Sequence, residues 1–223
     1  MITYNPPPHT GLHILYVDDY LLIVDKPSGL LSVPGRGEDK QDCLINRVLP
    51  EYSDALIVHR LDMSTSGLML LARGKLMERA LSILFQRRQV AKTYTAVITG
   101  WLESDQGEVT LPLITDWPNR PKQKVCFEQG KPSHTRYQVL SRHQQAYTTS
   151  VKLEPLTGRS HQLRVHMQAL GHPILGDELY ASEPVALQAP RLLLHATTLD
   201  FLHPVTQTPV SVVSSVPFEI GQQ

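Results

Sequence analysis

Two cysteines, Cys43 and Cys126, are all that 223 residues contain, and they lack CxxC spacing. That excludes a disulfide framework and fits buried or idle thiols in a reducing compartment. No stretch approaches about eighteen uncharged apolar residues, which excludes a membrane-spanning helix. The opening Met1-Ile2-Thr3-Tyr4-Asn5-Pro6-Pro7-Pro8 has neither the basic start nor the apolar core of a secretory signal, so a cytoplasmic location is expected. Repeats, low-complexity runs and obvious domain linkers are also missing. Nor does either sign of charge dominate: 21 basic residues balance 21 acidic ones, whereas nucleic-acid binders usually run basic.

What remains is ordinary for a globular protein, with 41% hydrophobic and 19% charged residues. The length suffices for a real core, in one large domain or two small subdomains around one cleft. Charge distribution says more than the sum, because attraction to phosphate is local, on the scale of a Debye length of about 8 Å. Between Asp116 and Arg136 stand Arg120, Lys122, Lys124, Lys131 and Arg136 against Asp116 and Glu128. Between Gly158 and Gly171 stand Arg159, His161, Arg164 and His166, with no acid. Two basic islands sit in a neutral chain.

Patterning predicts strands over Leu12–Tyr16, Leu21–Asp25, Lys92–Thr99, Thr135–Leu140, Thr148–Leu153, Leu192–His195 and Val210–Val213. Helices are predicted over Gln41–Leu49, Lys75–Arg88 and Ser160–Leu170; in the second, Leu76, Ala80, Leu81, Leu84 and Phe85 should line one face. Lys26-Pro27-Ser28-Gly29 is a turn. Trp117–Lys131, charged and carrying Pro118 and Pro121, should protrude as a hairpin or loop. The class is α+β, with a mixed, mostly antiparallel central sheet flanked by helices.

The most informative segment is Val58-His59-Arg60-Leu61-Asp62-Met63-Ser64-Thr65-Ser66-Gly67, between the apolar runs Ala55–Val58 and Leu68–Leu71. A strand–loop–strand arrangement holds one carboxylate, Asp62, beside an Arg at a strand edge. About a hundred residues on comes Gly158-Arg159-Ser160-His161-Gln162-Leu163-Arg164-Val165-His166, then Gly171-His172-Pro173-Ile174-Leu175-Gly176-Asp177. Lys92-Thr93-Tyr94 lies between. With Lys26-Pro27-Ser28-Gly29-Leu30, these motifs resemble, in order, those of the RluA branch of the RNA pseudouridine synthases, over about residues 12–204.

The resemblance implies a single catalytic domain over residues 1–223 with a central RNA-binding cleft and without the S4 domain found in related branches. It implies no cofactor and no metal. Asp62 would be the catalytic carboxylate, Arg164 its ion-pair partner, and Tyr94 the residue stacked on the base and suspected of proton transfer. Arg60 would contact the backbone and fill the space left by a flipped uridine, and His59, Arg159 and His161 would adjoin the RNA. Arg120, Lys122 and Lys124 would clamp phosphates. The segment Asp116–Cys126 and Gly130-Lys131-Pro132 most resemble branch members that modify both a tRNA anticodon stem-loop and a 23S rRNA hairpin. A monomer is expected.

The chemistry suits these residue types. Asp62 can attack C1′, promote elimination across the sugar or attack C6 of the base; each route needs one carboxylate and stabilisation of developing charge. A base-releasing glycosidase would usually need a second acid, which the motifs lack. A non-catalytic RNA-binding module would tolerate loss of Asp62. His161 and His166 are five residues apart, unlike the i, i+4 pair of a zinc helix, and Asp177 reads as a structural carboxylate.

Overall fold

In a computed structural model, which describes residues 4–219, the chain gathers into two compact units. The first comprises residues 4–92 with Ala196–Ser215, the second Thr93–His195 with residues 216–219. In chain order the first half of the sequence forms β1 (Ile14–Val17), β2 (Leu21–Lys26), α1 (Leu44–Val48), β3 (Ala55–Ile57), β4 (Ser66–Arg73), α2 (Lys75–Gln86), β5 (Ala91–Thr99) and β6 (Gln106–Val109). There follow β7 (Leu113–Thr115), β8 (Gln123–Val125), β9 (Thr135–His143), β10 (Thr148–Pro155), α3 (Gln162–Ala169), α4 (Glu183–Ala186), β11 (Leu194–Leu202) and β12 (Pro209–Val213). The structure is α+β, and the ladders described below are antiparallel.

In the first unit, β4 is the central strand. Its apolar run is buried on both faces, so it does not alternate as a half-exposed strand would. It pairs with β2 from Leu21 opposite Ala72 to Lys26 opposite Gly67, and β1 continues outward from β2. On its other side the Arg73 end takes β3, with Ala55 opposite Arg73. Beyond it run β11 and, at the margin, β12. Gly67 has φ +110°, and a Cβ there would drive into the backbone O and N of Ala196, so only glycine permits this approach. Helix α2 lays Met77, Ala80, Leu81, Leu84 and Phe85 against Leu21, Ile23, Leu68 and Leu70. Leu76, expected on that face, is 89% exposed: it lies one position off the stripe, and Met77 takes its place.

In the second unit the strands run β5-β10-β9-β6, with Tyr94 of β5 opposite Leu153 of β10. Leu163 and Met167 of α3 bury against Ala96, Ile98, Val151 and Leu153. The charged segment after Leu113 is a hairpin, β7 paired with β8, whose tip is a short 3-10 turn, Trp117–Asn119. The bonds between Leu113 and Lys131, N–H to O in both directions, fasten its base.

Candidate functional site

The Asp62 loop leaves β3 and re-enters the sheet at β4, and side chains from the turn after β2 hold it from beneath. Lys26 is fully buried, and its ammonium donates to the carbonyls of Pro27 (2.9 Å), Leu30 (2.7 Å) and Met63 (3.1 Å). A cation so enclosed is tolerable because backbone dipoles surround it. Ser28 Oγ donates to Ser64 O at 2.7 Å, Gly29 N–H to Met63 O at 2.9 Å and Ser32 Oγ to Leu61 O at 2.7 Å. Thr65 N–H donates to Asp62 O at 3.1 Å, which closes the turn on itself. The residues flanking Asp62 are therefore bonded to the Lys26–Ser32 turn, and its carboxylate rides on a rigid frame. Arg60 is exposed and Asp62 half-buried.

His59, expected to contact RNA, has one ring nitrogen committed to the fold. Pairing of β3 with β4 stops at Ile57 opposite Leu71, and His59 Nε2 accepts the next exposed donor, Leu70 N–H, at 2.9 Å. Its ring stacks on Phe85 with centroids 4.6 Å apart, and Lys92 Nζ lies 5.5 Å from the same Phe85 ring. Burial, helped by the Lys92 charge, pushes the His59 pKa down to about 3. A neutral ring accepting a backbone bond is not available as a cation for phosphate. Burial also lowers the pKa of Lys92.

The remaining candidates lie in the second unit. At the hairpin tip Arg120 stacks over Trp117, 4.5 Å from the ring centroid, and Trp117 is 65% exposed. Lys124 pairs with Asp116 at 3.2 Å, whereas Lys122 is half-buried on the same strand turn. Bonds from Asn119 and Lys124 hold the Asp116 carboxyl below its usual range. Arg159 is exposed, with Nε donating to Pro132 O at 3.2 Å. Its loop is fixed by buried Gln162, whose Oε1 accepts from Thr157 Oγ1 (2.7 Å) and Arg159 N–H (3.0 Å). The Gln162 amide nitrogen donates to His134 O and Thr135 Oγ1, both at 3.0 Å. His161, just ahead of α3, has φ 54°, a left-handed conformation costing a non-glycine residue on the order of 1 kcal/mol.

Arg164, one turn into α3, is buried, and its Nε and Nη2 grip both oxygens of Asp177 at 2.7 and 2.6 Å. Asp177 Oδ1 also accepts the N–H groups of Leu179 and Tyr180. The structural reading of Asp177 therefore fits, and its partner is the candidate catalytic arginine. Tyr94 is half-buried on β5. The structure thus groups Asp62, Arg60 and His59 in the first unit, and Tyr94, Arg120, Lys122, Lys124, Arg159, His161 and Arg164 in the second. Sequence reading missed the buried supports Gln162 and Tyr180, for which no charge or spacing signal exists. Among the described residues no group of three or more His, Cys, Asp or Glu side chains is placed to hold a metal ion.

Known structures place this fold in a class. The human RNA pseudouridylate synthase domain containing 1 matches with a TM-score of 0.79 at 30% identity, over 96% of this chain and 87% of that one. The human domain containing 4 protein matches at 0.73 and 27%, over 92% and 88%. Residues 20–169 match the RNA pseudouridylate synthase family, and the chain belongs to it: it is an RNA-modifying isomerase. It is similar to the dual-specificity RNA pseudouridine synthase RluA of Vibrio parahaemolyticus, 56% identical over 207 residues, 92% of this chain and 83% of that protein. The protein of the same name from Escherichia coli K12 is 54% identical over 204 residues, covering 92% and 93%. Asp62, Tyr94 and Arg164 fall within the family match; Asp177 and Tyr180 lie beyond it.

Proposed function

We propose that the protein isomerises uridine to pseudouridine in two structured RNAs, a tRNA anticodon stem-loop and a 23S rRNA hairpin. The observation that carries this reading is 54–56% identity, over nearly the whole length, to synthases named for dual specificity. Asp62 is the catalytic carboxylate. In the reaction the C1′–N1 bond breaks, the uracil turns and C1′ bonds to C5; the C5 proton leaves to water and N1 takes up a proton, so the product is an isomer of the substrate. The reading asks for no cofactor or metal.

Arg164 is the cationic member of the catalytic set, a buried guanidinium held in place by Asp177. Tyr94 stacks on the base. Flipping the uridine out costs a few kcal/mol of lost stacking, and Arg60 fills the space it leaves. The hairpin carrying Arg120, Lys122 and Lys124 grips phosphates, with Arg159 and His161 beside the RNA. The enzyme works as a cytoplasmic monomer, and among the described residues no helix is long and apolar enough to cross a membrane.

The test uses C5-tritiated transcripts of both RNAs and measures tritium released to water. Release from both is expected, and Asp62→Asn or Asp62→Ala should lower it at least 1,000-fold while RNA binding and thermal unfolding stay near wild type. Release from one RNA alone overturns dual specificity. Undiminished release by Asp62→Ala overturns the assignment of the carboxylate.

A further inference from the structure

Tyr180 is 5% exposed and touches three parts of the second unit that the proposed function puts to use. Its hydroxyl accepts the N–H of Gln123, the first residue of β8, at 2.8 Å. The same oxygen lies 2.6 Å from Nδ1 of His161. Its ring lies 5.1 Å from the Arg164 guanidinium and stands edge-on to His161, centroids 5.6 Å apart. Its own N–H donates at 3.1 Å to Asp177, the carboxylate that grips Arg164. Leu113, Val125 and Val165, from both hairpin strands and from α3, pack around it.

A buried ring that merely filled space would be better served by phenylalanine, because a buried hydroxyl is costly unless bonded. Here the hydroxyl is bonded on two sides, to the hairpin's return strand and to the residue ahead of α3. The contact of the hydroxyl with Nδ1 orients a ring already held at positive φ. A shift of the hairpin at Gln123, the end of β8 next to the tip, therefore bears on His161 through one oxygen and on Arg164 through the attached ring.

We propose that Tyr180 is a positioning residue that couples engagement of the β7–β8 hairpin by RNA to the placement of His161 and Arg164. The proposal rests on the reading of the hairpin and Arg164 given under Proposed function. Its consequence is that RNA seated on the hairpin does more than add affinity: it helps set the geometry in which Arg164 acts.

Tyr180→Phe keeps the ring and removes only the hydroxyl. With saturating anticodon stem-loop, the single-turnover rate of tritium release should fall about 10-fold, a loss of rate in bound enzyme rather than of binding. In an Arg120→Ala, Lys122→Ala background, where the hairpin's grip is already weakened, the same substitution should cost less than about 2-fold. Far-UV circular dichroism selects a temperature at which all four proteins are folded. Equal losses in both backgrounds, an unchanged rate in Tyr180→Phe, or a variant that folds at no temperature each overturn the proposal and leave Tyr180 a packing residue. Wild-type protein that releases no tritium from either RNA defeats the underlying reading instead.

Discussion

An imidazole that must stay neutral leaves a signature in the pH dependence of stability. His59 accepts the Leu70 N–H and is pushed down to about 3 in the folded protein, against an ordinary value near 6.5 in the unfolded chain. Below about pH 6.5 the unfolded state takes up a proton that the native state refuses. The contribution of His59 is therefore complete above that pH and is lost as pH falls toward 3. Each pH unit inside the window costs up to about 1.4 kcal/mol. His59→Gln keeps a hydrogen-bond acceptor and removes the titration. From pH 7 to pH 5, urea unfolding should show wild type losing about 1–2 kcal/mol more than this variant. His166, also lowered by burial, titrates in both proteins and cancels. Equal losses would mean that His59 is charged in the native state. The bond from Leu70 N–H to His59 was not legible in the sequence, which does not show which ring nitrogen is committed to a backbone donor. Asp62 rests on company rather than on its own loop: an Arg-x-Asp triplet alone also suits a surface ion pair, and the ordered motifs further along the chain single it out.

Elements were legible where the pattern was long. Strands β2, β5, β9 and β10 and helices α2 and α3 stand where patterning put them, within a few residues; β4 follows its apolar run, and the hairpin was read from charge and proline. Strand β6, Gln106-Gly107-Glu108-Val109, escaped because it has one apolar residue and borrows its order from pairing with β9. The helix expected over Gln41–Leu49 shrinks to Leu44–Val48, since Cys43 is extended ahead of it. Gly67 was visible only as part of the loop motif, yet the close approach of β4 and β11 depends on it. Gly67→Ala adds a Cβ against the backbone of Ala196 and demands a left-handed φ of alanine. The expected destabilisation is on the order of 2–3 kcal/mol, a fall in melting temperature of about 5–10 °C for a chain of this size. Because Gly67 ends the turn that carries Asp62, tritium release should fall as well at temperatures where the variant remains folded. A variant that melts with wild type would show that the two strands have room to part.

At the scale of the whole molecule, a net charge of zero leaves RNA affinity to local fields. With a screening length of about 8 Å at physiological salt, distant acids do not cancel the hairpin's cations. Each phosphate neutralised releases condensed counterions, so a plot of log affinity against log salt steepens by nearly one for each contact to duplex RNA. The cations are not equivalent. Arg120 spreads its guanidinium over Trp117, leaving its charge for phosphate, whereas Lys124 is already paired with Asp116 at 3.2 Å. Arg79, exposed on α2, belongs to neither basic island. Binding of the anticodon stem-loop, measured from about 50 to 300 mM salt, should lose about one unit of slope in Arg120→Ala. The loss should be smaller in Lys124→Ala, where Asp116 must first be given up, and absent in Arg79→Ala. Slopes unchanged from wild type in all three variants would place the RNA away from the hairpin. A slope reduced equally by Arg79→Ala would mean that affinity follows total charge rather than the basic islands.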